Sequence, residues 1–362
     1  MPRWIWQQPG WTNFQFDTDS LRAKEDAFIL HCGQAIALFQ RASTEEQAST
    51  LLDLFEEEAA ATSLIEDVIL DRRSFRSSLR RALGYRDSGK SNPREAGVAA
   101  LMNDLVTTYQ DDLTSETLGK WHQLVMAGSG GIREIGHFRT LPDEIQVVDG
   151  PVGREKVWYV APPSDALPDL MAAFLEWFNA SRNTMPAVMR SGLAHFWFEM
   201  LHPFEDGNGR IGRAISQKAL GQAIGSPPMA MLSEIVHQQK RAYYSALDKA
   251  QRGGALQDWL AWFSDTVVMA QQRTIQRIDF VVAKTHFLDR HSETMNSRQN
   301  KAIIRMFEEG PDGFDGGLSA KNYISITGAT VPTTTRDLND LVKRGLLIRT
   351  GSLKSTRYWL KI

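Results

Sequence analysis

Apolar residues recur at helical spacing over most of this chain, broken by short polar stretches, and that rhythm predicts a mainly α protein. An opening rich in aromatics (Trp4, Trp6, Trp11, Phe14, Phe16) leads into two long amphipathic helices, the second carrying Leu51, Leu52, Leu54 and Phe55 on one face. Leu170, Phe174, Trp177 and Phe178 fall at i, i+4, i+7 and i+8, and Leu193, Phe196, Trp197 and Met200 form a similar stripe. Leu256, Trp259, Leu260 and Phe263 close the bundle, so these aromatics read as core. The period shortens in two places. Ile145, Gln146, Val147 and Val148, then Val157 to Val160, flank a turn at Asp149-Gly150 and predict a hairpin. Near the end, helices starting at Asn296, Leu318 and Thr330 precede a second hairpin, Ile348-Arg349 and Tyr358-Trp-Leu. With Asp87 to Pro93 as a loop, the expected divisions are 1–88, 94–270 and 285–362.

Composition adds bounds. The 362 residues are 42% hydrophobic and 23% charged, with a net charge of −2, enough for two or three domains with an ample core. The overall charge pulls toward neither nucleic acid nor membrane. Cys32 is the only cysteine, which precludes an internal disulfide and fits a reducing cytoplasm. The first residues lack an apolar signal core, and no stretch of about 18 apolar residues occurs, so neither secretion nor a membrane span is expected. The arginines from Arg72 to Arg81 read as a solvated or salt-bridged helix face. From Val331 onward seven basic residues face two acids, with Thr333 to Arg336 opening a helix and Lys354 and Arg357 on the hairpin. Residues 331–357 fit a DNA-binding face, or a protein-docking or homodimerising one; the residues alone leave both open.

The chemistry concentrates in His202-Pro-Phe-Glu-Asp-Gly-Asn-Gly-Arg-Ile-Gly-Arg213. Pro203, Gly207 and Gly209 break any continuous helix, and both glycines can take the positive φ that other residues avoid. A helix starting near Gly209 aims its N–H groups and positive dipole end at one spot, an anion cradle. Arg210 and Arg213 share a helix face and can each grip a phosphate bidentately. Asp206 suits Mg²⁺, which prefers one or two carboxylates plus phosphate oxygens. The bare reading is a diphosphate-plus-metal site with His202, whose ordinary pKa is about 6.5, as a proton acceptor at its edge.

These residues match the Fic-domain signature H-P-F-x-[D/E]-G-N-G-R-x-x-R at every fixed position, and the chain resembles Fic proteins. The resemblance implies a Fic-type helical core with a hairpin flap, which binds ATP with Mg²⁺ and transfers AMP to a hydroxyl of a protein target. It makes His202 the general base, Phe204 the core anchor of the loop and Asp206 the metal ligand. Gly207, Asn208 and Gly209 become the anion-binding turn, and Arg210 and Arg213 the phosphate clamps. Glycine at 209 favours nucleotidyl transfer, because the phosphate-transferring Doc branch carries lysine there.

Far upstream, Thr62-Ser-Leu-Ile-Glu66-Asp67 resembles the inhibitory motif [S/T]-x-x-x-E-[G/N] of class II Fic proteins. That likeness implies inhibition in cis by Thr62 and Glu66, with Glu66 bridging Arg213 and blocking the productive γ-phosphate position. Asp67 departs from the family's glycine or asparagine. Ile145, Gln146, Val147 and Val148 resemble the flap that pairs with a target's main chain, a strand addition. Arg241 to Gln251 resembles the segment lining the adenine pocket, with Tyr244 stacking on the base and Gln251 as its polar partner; Tyr243 and Tyr244 fit core packing equally well. The tail resembles the winged helix that often ends longer Fic proteins. The expected function is an autoinhibited protein adenylyltransferase. The alternatives are AMP removal at the same site and a nucleotide-sensing DNA-binding regulator.

Overall fold

A computed structural model describes residues 4–141, 145–149, 156–254, 256–314 and 316–362. In chain order the described residues form α1 (Arg22–Arg41), α2 (Thr44–Ile65), α3 (Arg72–Ala82), α4 (Pro93–Thr107), α5 (Ser115–Val125), β1 (Gln146–Asp149), β2 (Lys156–Val160), α6 (Leu167–Ala180), α7 (Ala187–Leu201), α8 (Asn208–Ile224), α9 (Leu232–Gln238), α10 (Lys240–Gln251), α11 (Leu256–His291), α12 (Ser297–Glu308), α13 (Ala320–Thr327), α14 (Val331–Lys343), β3 (Leu347–Thr350) and β4 (Arg357–Leu360). The fold is mainly helical, with two small antiparallel hairpins, β1–β2 and β3–β4. The ladder of the first shifts register between Val147 and Val148, and its expected turn residue Gly150 lies outside the described residues. No helix among the described residues is long and apolar enough to cross a membrane.

Two compact units emerge, residues 1–36 with 51–274, and residues 37–50 with 275–362. The first is organised around α7. All fifteen residues of that helix are buried, the polar Arg190, His195 and Glu199 among them. Phe174, Phe178, Trp197, Phe198, Phe204, Ile211 and Ile215 make one core cluster beneath it, and Phe196, Tyr243, Trp259, Leu260 and Phe263 make a second.

Residues of the expected N-terminal region 1–88 pack onto the bundle. Trp4, Ile5, Leu21 and Phe28 are buried in the same cluster as α7 and α10 residues, because so aromatic an opening cannot bury itself and finds its cover on the bundle. A satellite core of Leu52, Phe55, Phe75, Leu79, Val98 and Met102 joins α2, α3 and α4. The arginine face of α3 is salt-bridged, Arg72 to Glu57 at 3.0 Å and Arg76 to Glu56 at 2.9 Å.

The second unit packs α12, α13 and α14 with the β3–β4 hairpin around Ile303, Phe307, Tyr323, Leu338, Leu341 and Leu347. Leu318, between α12 and α13, bridges Tyr358 on β4 in antiparallel fashion.

Candidate nucleotide-binding active site

The site begins where α7 stops. His202 leaves the helix at φ 45° and ψ 57°, a left-handed conformation that costs a side-chain-bearing residue about 1–2 kcal/mol. Its backbone is fastened on both sides: the N–H donates to Phe198 O at 3.0 Å, and Arg139 Nε donates to its carbonyl at 2.9 Å. Arg139, almost fully buried, also gives its backbone N–H to Pro203 O and its Nη2 to Pro162 O. One guanidinium thus ties the histidine turn to the segment following β2.

The turn closes on itself. Phe204 is fully buried and stacks on the His122 ring, 4.1 Å between centroids at 14°. His122 Nδ1 accepts the Gly136 N–H at 2.9 Å, and burial lowers its proton affinity, which keeps the ring neutral for that role. Asn208 clasps Phe204 across the turn, its Oδ1 accepting from the Phe204 N–H at 3.0 Å and its Nδ2 donating to the Phe204 carbonyl at 2.8 Å. The Asn208 side chain therefore shapes the turn, and only its backbone is left to face an anion.

Helix α8 starts at Asn208, one residue earlier than expected. Gly207 caps it at φ 82°, as its glycine requires. Gly209 lies within the helix, so the expectation of positive φ holds at Gly207 alone. A Cβ at 209 would sit 2.2 Å from Glu66 Oε1 and 3.1 Å from Arg213 Nη1. Its missing side chain is the space that the Glu66 carboxylate fills.

That carboxylate arrives from α2. Arg213 Nη2 donates to Glu66 Oε1 at 2.8 Å and to Thr62 O at 2.9 Å, while Nε donates to Thr62 Oγ1 at 2.7 Å. Thr62, Glu66 and Arg213 are thereby brought together. Arg213 is 2% exposed, and its Nη1 has no hydrogen-bond partner within the described residues. Arg210 is also buried, at 6% exposed, reaches Val125 O at 3.3 Å and leaves Nε without a hydrogen-bond partner within the described residues. Two buried guanidiniums with idle donors beside a helix N-terminus could receive a phosphate.

Asp67 follows at φ 56°, and the Val68 N–H bonds back to Ser63 O at 2.9 Å while the Asp67 N–H reaches Leu64 O, a Schellman ending for α2. Glycine and asparagine suit that left-handed position best, and aspartate tolerates it. Its carboxylate meets Lys240 Nζ at 3.0 Å at the start of α10.

Burial pushes the His202 imidazole down to about 4, and the nearby Arg139 cation adds to the effect, so the ring is neutral at physiological pH. Its Nδ1 lies 4.0 Å from Glu199 Oε2, one turn back on α7. Burial first, then repulsion by Glu66, raises the Glu199 carboxyl to about 8. Asp206 is the opposite case: its side chain is 60% exposed, and it accepts the Gly207 N–H at 2.5 Å. No cluster of three metal-ligating side chains occurs among the described residues. An exposed lone carboxylate beside a phosphate receptor fits Mg²⁺ that arrives with a nucleotide, since Mg²⁺ keeps most of its other ligands as water and phosphate oxygen.

Tyr243 is core, its hydroxyl 2.9 Å from His195 Nε2, whereas Tyr244 is 38% exposed and stays with the site. Gln251 lies elsewhere than beside an open pocket. It is buried, and its amide donates to Trp158 O at 2.8 Å and to Asp248, so it secures β2. The same strand is held by Trp6 Nε1 donating to Val160 O at 2.7 Å and by Tyr159 OH donating to Met200 O at 2.6 Å. Ala161 N–H pairs with Ile145 O on the inner side. Two carbonyls of β2 are thus covered, and among the described residues no further strand pairs with β1, whose Gln146 and Val148 are exposed. Sequence reasoning missed Arg139, His122, Glu199 and Tyr159, which no local motif marks.

Residues 112–220 match the Fic/DOC family, and residues 4–85 match a family described as a domain of unknown function, DUF4172. Curated relatives include the protein adenylyltransferase Fic of Drosophila mojavensis, 33% identical over 121 residues that cover 32% of this chain and 23% of that protein. Another is a probable protein adenylyltransferase of Aquifex aeolicus, 32% identical over 92 residues that cover 25% of this chain and 26% of the relative. The matches span about a quarter of the length of these relatives. Among solved structures, a Fic family protein from Desulfovibrio desulfuricans G20 is similar at a TM-score of 0.52 and 21% identity over 92% of this chain and 96% of that one. Fic-1 from C. elegans gives 0.52 at 20% identity over 72% and 75%. Both likenesses are of fold. With the turn, the anchored arginines and the neutral histidine all inside the matched segment, residues 112–220 are a Fic/DOC domain.

Proposed function

We propose that the chain is a protein adenylyltransferase held in check by its own helix α2. One observation carries this reading: the Glu66 carboxylate occupies Arg213 and the space above Gly209 together, where a terminal phosphate of ATP would bind. An anion already seated on a receptor built for anions is what competitive self-inhibition requires.

In the reaction we propose, the hydroxyl oxygen of a Ser, Thr or Tyr on a protein target attacks the α-phosphorus of ATP. The bond to the bridging oxygen breaks, pyrophosphate leaves, and the hydroxyl proton passes to the His202 ring nitrogen remote from Glu199. A neutral imidazole can take that proton, and such transfer contributes roughly 10²- to 10⁴-fold. Arg210 and Arg213 offset charge on the departing pyrophosphate, in a site that is largely closed to water. Asp206 would hold Mg²⁺, which supplies further neutralisation of the phosphates when bound. The open edge of β1 would align the target's main chain, with Tyr244 against the adenine. The C-terminal unit stands outside this chemistry.

The test is transfer of labelled AMP from ATP onto proteins of a cell lysate by the Glu66→Gly variant, with modified residues located by mass spectrometry. Labelling that disappears in Glu66→Gly/His202→Ala supports the reading. Labelling that persists in the double variant, or none in either, overturns it.

A further inference from the structure

We infer that the C-terminal unit is a double-stranded DNA reader, using the exposed face of α14 and the β3–β4 hairpin. The net charge of −2 hides a division between the two units. Residues 37–50 with 275–362 carry 15 Lys or Arg against 11 Asp or Glu, while the larger unit carries 26 against 32. The excess is sharper toward the end, where residues 318–362 hold eight basic residues and two acidic ones.

Asp337 is buried, and Asp340 is paired within the unit although its side chain is 44% exposed. Asp337 is 4% exposed and accepts from Arg298 Nε at 2.8 Å, Tyr323 OH at 3.0 Å and Asn296 Nδ2 at 3.2 Å. Asp340 accepts from Gln299 Nε2 at 2.9 Å and from Arg344 Nη1 at 3.3 Å. The charge along α14 and β3 leans basic: Thr335, Arg336, Asn339 and Lys343 are exposed on the helix and Arg349 on the strand, together with Val331, Ile348 and the half-exposed Asp340. The opposite face of α14, with Thr334, Leu338 and Leu341, is buried in the unit's core.

The chemistry of that face matches a duplex. Thirteen residues make a rod of about 20 Å, which a major groove about 12 Å wide accepts. Arg336 and Asn339, three residues apart, are the two side chains best suited to bidentate contacts with guanine and adenine edges, and Thr335 offers its methyl to thymine. Lys343 at the helix end and Arg349 on the hairpin are placed for phosphates on either side. A protein partner fits less well. Docking faces are enriched in aromatic and apolar side chains and depleted in lysine; between Thr335 and Lys343 the exposed positions of α14 are polar or basic, while Val331 at the helix start and Ile348 on β3 are exposed apolar residues.

The experiment uses the full-length protein and a random 30-base-pair duplex pool, with rounds of enrichment followed by fluorescence anisotropy at several salt concentrations. The expected result is an enriched sequence whose binding falls steeply with salt. Arg336→Ala should lose discrimination at one base pair by roughly tenfold or more, whereas Lys343→Ala/Arg349→Ala should weaken all duplexes alike and flatten the salt slope by about two. His202→Ala should bind as wild type does. All of these side chains are exposed, and unchanged melting curves would verify that the variants fold. Failure to enrich any sequence, enriched binding indifferent to Arg336→Ala/Asn339→Ala, or sedimentation showing α14 to be the contact between two copies of the chain would each overturn the inference. None of these outcomes bears on AMP transfer, which depends on the other unit.

Discussion

The histidine turn and the end of α2 meet at Arg213 but are held in place by opposite means. The turn is fastened locally: Asn208 clasps Phe204 four residues away, Gly207 caps the helix that follows, and Phe204 is sunk in the core. The end of α2 reaches the same arginine across roughly 150 residues of sequence, through three hydrogen bonds from Thr62 and Glu66. Its last residues are open to water, Glu66 by 30% and Asp67 by 90% at the side chain. In the proposed reading a rigid receptor with a detachable occupant would serve as a switch, because the groups assigned to catalysis would survive the occupant's departure. Activation would then ask only that one carboxylate leave.

Predictions follow from that contrast. The largest concerns the rigid half. Placed in a Glu66→Gly background, His202→Ala should lower the rate of AMP transfer by roughly 10²- to 10⁴-fold while ATP binding measured by calorimetry is retained. A parallel loss of binding would mean that His202 holds the turn together instead of acting on the proton. Gly209→Ala probes the contact between the halves. Its Cβ would strike Glu66 Oε1, so it should cost about 1–3 kcal/mol of stability in the wild type and less than half of that in Glu66→Gly. Equal costs in the two backgrounds would place the strain elsewhere.

Smaller effects test what lies behind the turn. The Glu199 carboxyl, raised to about 8, binds its proton more tightly folded than unfolded. Its contribution is therefore present below its ordinary range near 4.5 and is lost as pH rises through 8. Glu199→Gln should remove that loss, so the melting temperature of the variant relative to wild type should rise between pH 6 and pH 8; a constant difference would contradict the assignment. The smallest effect is expected from Trp6→Phe, which deletes only the N–H bonded to Val160 O, worth about 1 kcal/mol. Amide exchange in β1 and β2 should quicken, with little change in global melting.

Local sequence was a good guide to the turn and a poor one to its supports. The twelve residues from His202 to Arg213 announce an anion site because glycine, proline and paired arginines at that spacing have few other uses. Thr62 and Glu66 were legible only through a family likeness, and Asp67 became intelligible once its φ of 56° was known. Arg139, His122 and Glu199 serve the site through contacts that tertiary packing alone creates. The setting of Gln251 was hidden for the same reason: the strand that takes its amide lies more than ninety residues earlier. The aromatic opening could be recognised as core from its composition, but not which core it joins. The mild charge of the whole chain likewise concealed two units of opposite sign.

The central claim is that Glu66 and the phosphates of ATP compete for one receptor. Initial rates of self-labelling with radiolabelled ATP and Mg²⁺, for wild type and Glu66→Gly side by side, test it most directly. A charge-assisted hydrogen bond of about 1.5–3 kcal/mol predicts a rise of about tenfold or more in the variant. Equal rates would contradict it.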